Sequence, residues 1–592
     1  MLGNSAMPLS TPALSVSRSF TGRRWALKEP DGDAVRALMR EAELSPVLAA
    51  LLASRGVALD AVQETLWPTL KRHMPEPFVL KDMERAVARA REAVEQGEAI
   101  AIFGDYDVDG SCSAALLQDF FRAIGIATRI YIPDRMTEGY GPSARAMLKL
   151  KEEGARLVIT VDCGAAADEA LGAARDAGLD VIVLDHHRVE HAAPAFAQVN
   201  PNQPGDTSGQ GHLCAAGVTF LFAVALNRAL RPWYGANAKA EPDLRQALDL
   251  VALATVCDVV PLTGANRAFV RSGLAQLQAL ARPGLAALAQ VSRAQSPYTA
   301  YHCGFIFGPR INAGGRVGRC SLGVDLLTVL EAEEAHAHAE LLDLHNRERQ
   351  TIEKAILEEA SALAVAQHNR AFVFAAKEGW HPGVVGIVAG RLKDRFGKPA
   401  FVAGFEGGMG RGSARSIAGA DIGAVVRAAM QAGIVESGGG HAMAAGFSIT
   451  AEQRDGFEAF LAAEFARGLP ETVATLDVDA LVSPAGASAA LVRDVALAGP
   501  FGAGNPEPVF ALCDVRVAFA DIVGKDHVRL RLTGGGGRLD AIAFRAAGEP
   551  LGQALLAARG RTIHAAGRLR AETWNGNMRV QLHLEDAAPA GA

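Results

Sequence analysis

Three short apolar runs in the first third of the chain each stop at a cluster of acidic or histidine residues. AIAIF (99–103) runs into GDYDVDG, RLVITV (156–161) into Asp162-Cys163-Gly164, and DVIVL (180–184) into Asp185-His186-His187. Runs of this length, rich in β-branched residues, predict strands buried on both faces. Between them, SAALLQDFFRAIG and residues 165–177 carry helical spacing, and ATRIYI (127–132) adds a further strand. Apolar strands alternating with amphipathic helices imply a parallel sheet covered on both faces. In an open sheet of that kind the ligand crevice lies at the carboxyl ends of the strands. Three strand ends would therefore deliver carboxylates and imidazoles to one pocket.

A fourth acidic position, Asp258 in TVCDVVPL, follows the helical run DLRQALDLVALA. Each piece alone has a plain reading: an Asp after a strand usually caps a turn or a helix. The string Asp105-Tyr106-Asp107-Val108-Asp109-Gly110 also resembles the start of a calcium loop. The Glu such a loop requires is missing, because that position is Leu116 or Leu117. Three independent strand ends with ligand-type side chains argue instead for a metal centre. Oxygen and imidazole donors without thiolate pairs suit Mn²⁺ or Mg²⁺ better than structural zinc. Two ions ~3.5–4 Å apart need a bridging carboxylate, and they catalyse phosphodiester hydrolysis. Asp162, on an expected central strand, is the candidate bridge.

The remaining chain divides by pattern. At 592 residues it is too long for one core. Neither glycine nor proline occurs between Gly323 and Gly379. The spacing there predicts a long helix over roughly 324–366, the alternative being two packed helices with an unmarked turn. A second α/β unit opens with AFVFAA (371–376) and ends at Gly438-Gly439-Gly440-His441. VRLRL (528–532) and VQLHL (580–584) then alternate apolar with polar, and Trp574-Asn575-Gly576-Asn577 carries a hairpin signal. We expect a tail and small helical segment at 1–75, with the first ~20 residues loose. The metal-binding domain comes next at 76–285, then a connector with the long helix at 286–368, the second α/β domain at 369–470 and a β-barrel at 471–592.

A phosphodiester substrate needs cations and approachable backbone. Arg310, Asn312 and Arg316 lie in FGPRINAGGRVG, a glycine-rich string expected not to be helical. Arg411, Ser413, Arg415 and Ser416 in RGSARS form a second cluster, and Gly438–Gly440 with His441 a third. A plain turn is the alternative for each glycine string. On the barrel, Arg529, Arg531, Arg568, Arg570, Trp574 and Arg579 are candidate contacts to a single strand. The alternative there is a structural barrel with solvated arginines.

The net charge of −6 neither requires nor excludes nucleic acid, since a basic channel can sit on an acidic body. Seven cysteines without a CxxC pair fit reduced thiols in a cytoplasm. The first residues are too interrupted for a signal-peptide core, and no run approaches the ~18 apolar residues of a membrane span. A Walker A string is absent, which disfavours a P-loop hydrolase.

In order, DYDVDG, VDCG, the DHH triplet and CDVVPL resemble the four motifs of the DHH phosphoesterase superfamily, and GGGHAMAAG resembles the glycine-rich motif of its DHHA1 domain. FGPRINAGGRVG, LDLHNRERQ and HPGVVGIVAGRL are similar to its bacterial single-strand-specific exonucleases, over roughly residues 20–590. The resemblance implies an α/β protein: a parallel-sheet DHH domain and a smaller α/β DHHA1 domain joined by the long helix, with a C-terminal OB-type β-barrel. It implies Asp107, Asp109, Asp162, His186 and Asp258 as metal ligands, with His187 at a metal or the scissile phosphate. Asp105 is a ligand or an acid behind the ligands, and Asp185 orients a histidine. Phosphate contacts from Arg415, Ser416 and His441 gain weight.

The implied activity is 5′→3′ exonuclease digestion of single-stranded DNA to 5′-mononucleotides, in DNA repair and recombination, with two Mn²⁺ or Mg²⁺ ions. A helicase and a single-strand-binding protein are the implied partners. Two alternatives keep the same motifs: a phosphodiesterase for an oligonucleotide or cyclic dinucleotide, and a silent replication scaffold, which the filled ligand positions disfavour. Cys163, the AAAD that comes after it and Gly314 depart from the usual pattern, and Cys163 and Cys257 leave thiol coordination open.

Overall fold

The computed structural model of the chain describes residues 12–135, 137–468, 474–574 and 577–591. They form two compact units. One holds the described residues of Glu76–Asp258 and Gly273–Glu471; the other holds those of Met1–Pro75, Val259–Ser272 and Thr472–Ala592. The stretch Val259–Ser272, expected within a continuous 76–285 domain, thus belongs with the two ends of the chain.

The first unit opens on a five-stranded parallel sheet, ordered Thr128–Tyr131, Ile100–Gly104, Leu157–Val161, Asp180–Leu184, Ala197–Val199. The Ile100–Gly104 and Leu157–Val161 strands are buried throughout, as their unbroken apolar sequence requires. Strand register then sets where the acids emerge. Gly104 pairs with Val161, and Val161 with Leu184, so Asp105, Asp162 and Asp185 leave three adjacent strands at one level.

The long helix runs over Ala332–Ala366, about 50 Å at 1.5 Å per residue. The expected start near 324 is corrected: Leu322–Thr328 is a separate helix. The Thr328 hydroxyl donates to the Val324 carbonyl at 2.9 Å, and Val329 turns extended at ψ 141°. A β-branched pair ends this helix without any glycine or proline to mark it. The sheet of the second α/β domain is mixed, ordered Ser437–His441, Ala444–Thr450, Met409–Arg415, Ala400–Glu406, Val373–Glu378. Ile356, Ala360 and Ala364 of the long helix pack with Val384, Val388 and Val402 of that domain.

In the second unit, Phe510–Val523, His527–Gly534, Gly537–Ala543, Asn577–Pro589 and Thr562–Trp574 pair in sequence, and the last pairs back to the first. Five strands close into a barrel. The VRLRL alternation works as expected, with Val528, Leu530 and Leu532 inside and Arg529 and Arg531 exposed. Leu38, Leu48 and Leu52 from the N-terminal helices pack into the same core. The expectation of a loose start to about residue 20 is corrected from residue 13 onward. Ala13 and Val16 are buried with Trp25, the Arg24–Leu27 strand pairs with Thr475–Val478, and Trp25 Nε1 donates to Asp586 at 2.9 Å. Alternating small apolar residues there read as tail because their partners lie about 450 residues away. The expected boundary at 470/471 lies outside the described residues.

Candidate metal centre

The three strand ends and the end of the Leu248–Cys257 helix converge. Asp107 caps the Val108–Ala123 helix, accepting from Gly110 N at 3.1 Å. Asp109, the second residue of that helix, is 1% exposed and accepts from Ala215 N and Ala216 N at 2.7 and 2.8 Å, at the start of the Ala215–Ala229 helix. Asp162 sits at φ 61°, a left-handed conformation rare for a non-glycine residue and typical of functional sites. His186 Nε2 lies 3.4 Å from Asp162, 3.7 Å from Asp258 and 3.8 Å from Asp109. Possible ligand atoms fall within 4.8 Å of one another in three overlapping sets: Asp105, Asp107 and Asp162; Asp109, His186 and Asp258; Asp162, His186 and His187.

The electrostatics are those of crowded, buried acids around a neutral imidazole. Burial first, and neighbouring carboxylates second, push Asp109 up to about 7 and Asp258 to about 8, and hold Asp105 and Asp162 well above the usual range. Burial and the His187 charge push His186 down to about 4, so its ring is neutral. Among the described residues, Asp105 Oδ1, His186 Nε2 and Asp258 Oδ2 are buried without a hydrogen-bond partner. Each such atom costs ~1–3 kcal/mol. Crowded carboxylates and an unused imidazole nitrogen fit hard divalent cations.

Asp185 has both oxygens already engaged. Burial would raise its pKa, but His187 overrides that and holds it at about 2. It accepts His187 Nδ1 at 2.7 Å and the backbone N–H groups of His186, His187 and Ala165. The same contact holds the half-exposed His187 up to about 9 against its own burial. Cys163 and Cys257 turn their thiols onto the carbonyls of Val161 and Cys303, at 3.4 and 3.3 Å. They are donors to backbone.

A cleft of about 680 Å³ lies between the two α/β domains of this unit, lined among others by Arg135, Arg316, Gly383, Arg411, Ser413 and Arg415. Arg135 stacks over the Tyr106 ring at 5.3 Å, which ties the cleft wall to the loop that carries Asp105 and Asp107. Arg316 donates to the Gly383 carbonyl at 3.0 Å, and burial followed by Arg135 lowers it to about 10.

The expected phosphate contacts separate. Arg316 and Arg415 line the cleft. Arg310 is tied to Asp343 at 2.9 Å, and Asn312 accepts from Val108 N at 3.1 Å, at the loop that carries Asp105 and Asp107. Ser416 is 1% exposed and donates to the Ala420 carbonyl at 2.7 Å, so its hydroxyl is committed. His441 is exposed at the end of its strand. The glycine string is corrected outright: Gly308–Val317 is a helix. Its glycines serve close approach, because a Cβ on Gly308 would meet Cys257 Sγ at 2.4 Å and one on Gly315 would meet Tyr106 at 3.1 Å. Sequence reasoning missed Arg135, although it follows the ATRIYI strand as the acids follow theirs.

On the barrel, Arg531 pairs with Asp540 at 3.0 Å, Arg568 with Glu585 at 3.0 Å and Arg570 with Glu507 at 2.6 Å. Arg529 lies over Phe519 at 5.6 Å, and Arg579 is exposed. The Trp574 side chain lies outside the described residues. A missed aromatic face stands nearby: Phe544, 51% exposed, lies edge-on between His527 and His583, at 5.2 and 5.0 Å.

Residues 99–255 match the DHH family N-terminal domain, 368–467 the DHHA1 domain and 478–586 the RecJ OB domain. The chain is 35% identical to the single-stranded-DNA-specific exonuclease RecJ of Escherichia coli (strain K12), over 93% of this chain and 96% of that one. It is 34% identical to the Bacillus subtilis (strain 168) protein of the same name, over 95% and 71%. The crystal structure of RecJ in complex with Mn²⁺ from Thermus thermophilus superposes with a TM-score of 0.80 at 30% identity, covering 96% of this chain and 80% of that one. That of RecJ with Mg²⁺ from the same organism gives 0.75 at 28% identity, over 96% and 79%. Both α/β domains and the barrel are thus matched in one order.

Proposed function

The chain belongs to the RecJ family of single-stranded-DNA-specific exonucleases, and from that premise we propose that it digests single-stranded DNA from the 5′ end to 5′-mononucleotides, on the cluster around Asp162. It is a metal-dependent nuclease using Mn²⁺ or Mg²⁺. The observation that carries the site assignment is His186 Nε2, buried, without a hydrogen-bond partner among the described residues and ringed by Asp109, Asp162 and Asp258.

Asp105, Asp107 and Asp162 would hold one ion, and Asp109, His186 and Asp258 the other, with Asp162 shared. Two such ions, when bound, activate water and offset charge growing on the phosphate oxygens. The chain's own residues do the rest. The Ala215 and Ala216 N–H groups fix the Asp109 carboxylate. Asp185 fixes the His187 ring through Nδ1, leaving Nε2–H to donate to a phosphate or leaving oxygen. Arg316 and Arg415, with Arg135, supply the cationic cleft for the strand.

The single-strand requirement makes a helicase that opens duplex, and a protein that coats single strands, natural partners in repair and recombination. No single helix among the described residues is long and apolar enough to cross a membrane, and a cytoplasmic site of action fits the reduced-thiol composition. The test compares a long single strand, a blunt duplex of the same sequence and a dinucleotide, each with Mn²⁺. The single strand should be digested far faster than either; equal rates on blunt duplex would refute the proposal, and a preference for the dinucleotide would favour a small-substrate phosphodiesterase.

A further inference from the structure

Asp162 leaves its strand under backbone strain. Its φ of 61° is left-handed, a region that L side chains rarely adopt, and Gly164 follows at φ 106°. Such a conformation persists only where the surroundings hold it. Both backbone polar groups of Asp162 are held. Its N–H donates to the Leu184 carbonyl at 3.0 Å, on the neighbouring strand. Its carbonyl accepts the Tyr140 hydroxyl at 3.0 Å. The first hold belongs to the sheet, and the second comes from one side chain on a different loop.

That loop is built to present Tyr140. It follows the Thr128–Tyr131 strand, and Tyr140 stands between Gly139 at φ 87° and Gly141 at φ 76°. The Asp134 carbonyl accepts the N–H groups of Glu138 and Gly139 at 2.7 and 3.2 Å, and the Asp134 carboxylate accepts that of Thr137 at 2.9 Å. On the other side, Ser143 caps the Ala144–Glu152 helix. The tyrosine is therefore tied down on both flanks. It is 55% exposed, so burial of apolar surface is not what holds it there. Its ring stands edge-on to that of His187, with centroids 6.1 Å apart and planes at 71°. One side chain thus touches groups that emerge from two other strands.

We propose that Tyr140 is a positioning residue of the nuclease. Its hydroxyl locks the strained Asp162 backbone, and its ring braces the His187 imidazole, so both groups keep one orientation through turnover. This role rests on the placing of Asp162 and His187 in the metal centre proposed for the nuclease. The hydroxyl acts on the main chain, so it aims the Asp162 carboxylate without competing with a cation for the carboxylate oxygens. Partners that orient a ligand from behind typically carry about 10–100-fold in metal affinity or activity.

The test uses full-length Tyr140→Phe, which keeps the ring and loses only the hydroxyl. Calorimetry without DNA should show the apparent Mn²⁺ affinity lowered about tenfold. At saturating Mn²⁺, kcat on a long single strand should fall about tenfold or more while KM stays within about twofold, because the lost bond is to the main chain of the centre and not to the strand. Tyr140→Leu, which also removes the brace on His187, should lower kcat further without a matching rise in KM. Circular dichroism checks the fold of both variants. A bond with a merely structural role would lower the melting temperature and leave kcat and Mn²⁺ affinity, measured well below it, at wild-type values; that result overturns the proposal. A raised KM with unchanged kcat overturns it too, since the ring would then be a strand contact. Wild-type digestion in the same series tests the nuclease reading by itself: an inactive wild type sinks that reading, and the Mn²⁺ affinities still decide the role of the hydroxyl.

Discussion

His186 Nε2 and Asp162 Oδ1 stand 3.4 Å apart at the ends of adjacent parallel strands, brought level by the pairing of Val161 with Leu184. Strand register brings the two backbones level, so the pair is adjacent without any ion. If Asp162 is shared as proposed, both ion subsites depend on that one residue.

Asp162→Asn should reduce hydrolysis to below about a tenth of wild type and lower the Mn²⁺ stoichiometry measured by calorimetry. Asn is the cleaner substitution, since it accepts the φ 61° backbone that Ala would strain. Circular dichroism should show an unchanged fold. Wild-type rate with full stoichiometry would remove Asp162 from the centre.

Asp185→Asn tests positioning without replacing a proposed ligand. It removes the acceptor charge behind His187 Nδ1. Loss of such a partner costs roughly 10–100-fold in activity or metal affinity. The pH profile should shift as well, because His187 loses the contact that holds it at about 9. A lower rate with an unmoved profile would indicate a merely structural role.

The carboxylate crowd predicts a pH-dependent stability with an unusual sign. Asp109 and Asp258 titrate in the folded state at about 7 and 8, above their ordinary carboxylate range. The folded, metal-free protein therefore binds more protons than the unfolded chain, and stability falls as pH rises. His186, lowered to about 4, works the opposite way but only below about 6.5. Between about pH 6.5 and 8 the melting temperature without metal should fall, and Mn²⁺ should raise it more at pH 8 than at pH 6.5. A metal-free melting temperature that rises across this window would contradict the crowding.

Most of the proposed ligands were legible because they follow apolar strands, and strand ends in a parallel sheet converge whatever the loops do; Asp258, at the end of the Leu248–Cys257 helix, was legible only from its motif. The glycine string at 308–318 misled, since glycines that permit turns also permit helices to touch, and only the Cys257 and Tyr106 contacts distinguish the two. The break after Thr328 left no glycine or proline to read. Arg135 reads as a loop residue in the sequence, and only its stacking on Tyr106 places its guanidinium beside the loop that carries Asp105 and Asp107. The arginines of VRLRL pointed to the barrel surface correctly, but the acids opposite them, Asp540 among them, lie on other strands and could not be seen from spacing.

Those ion pairs shift the expected strand contact from arginine to the aromatic face. Phe544→Ala should raise the KM for long single strands about fivefold or more, and leave kcat near wild type, because one base stack is worth ~1–3 kcal/mol. A dinucleotide substrate should not register the change. Identical constants on both lengths would exclude Phe544 from the strand grip.

The central claim is a metal-dependent exonuclease that starts at a 5′ single-stranded end. The most direct measurement tracks a long single strand labelled at its 5′ terminus, and in parallel at its 3′ terminus, through early digestion with Mn²⁺ and with chelator. The account predicts immediate release of the 5′ label as a mononucleotide, late release of the 3′ label, and no release of either with chelator. Early release of the 3′ label, or digestion that chelator leaves intact, would contradict it.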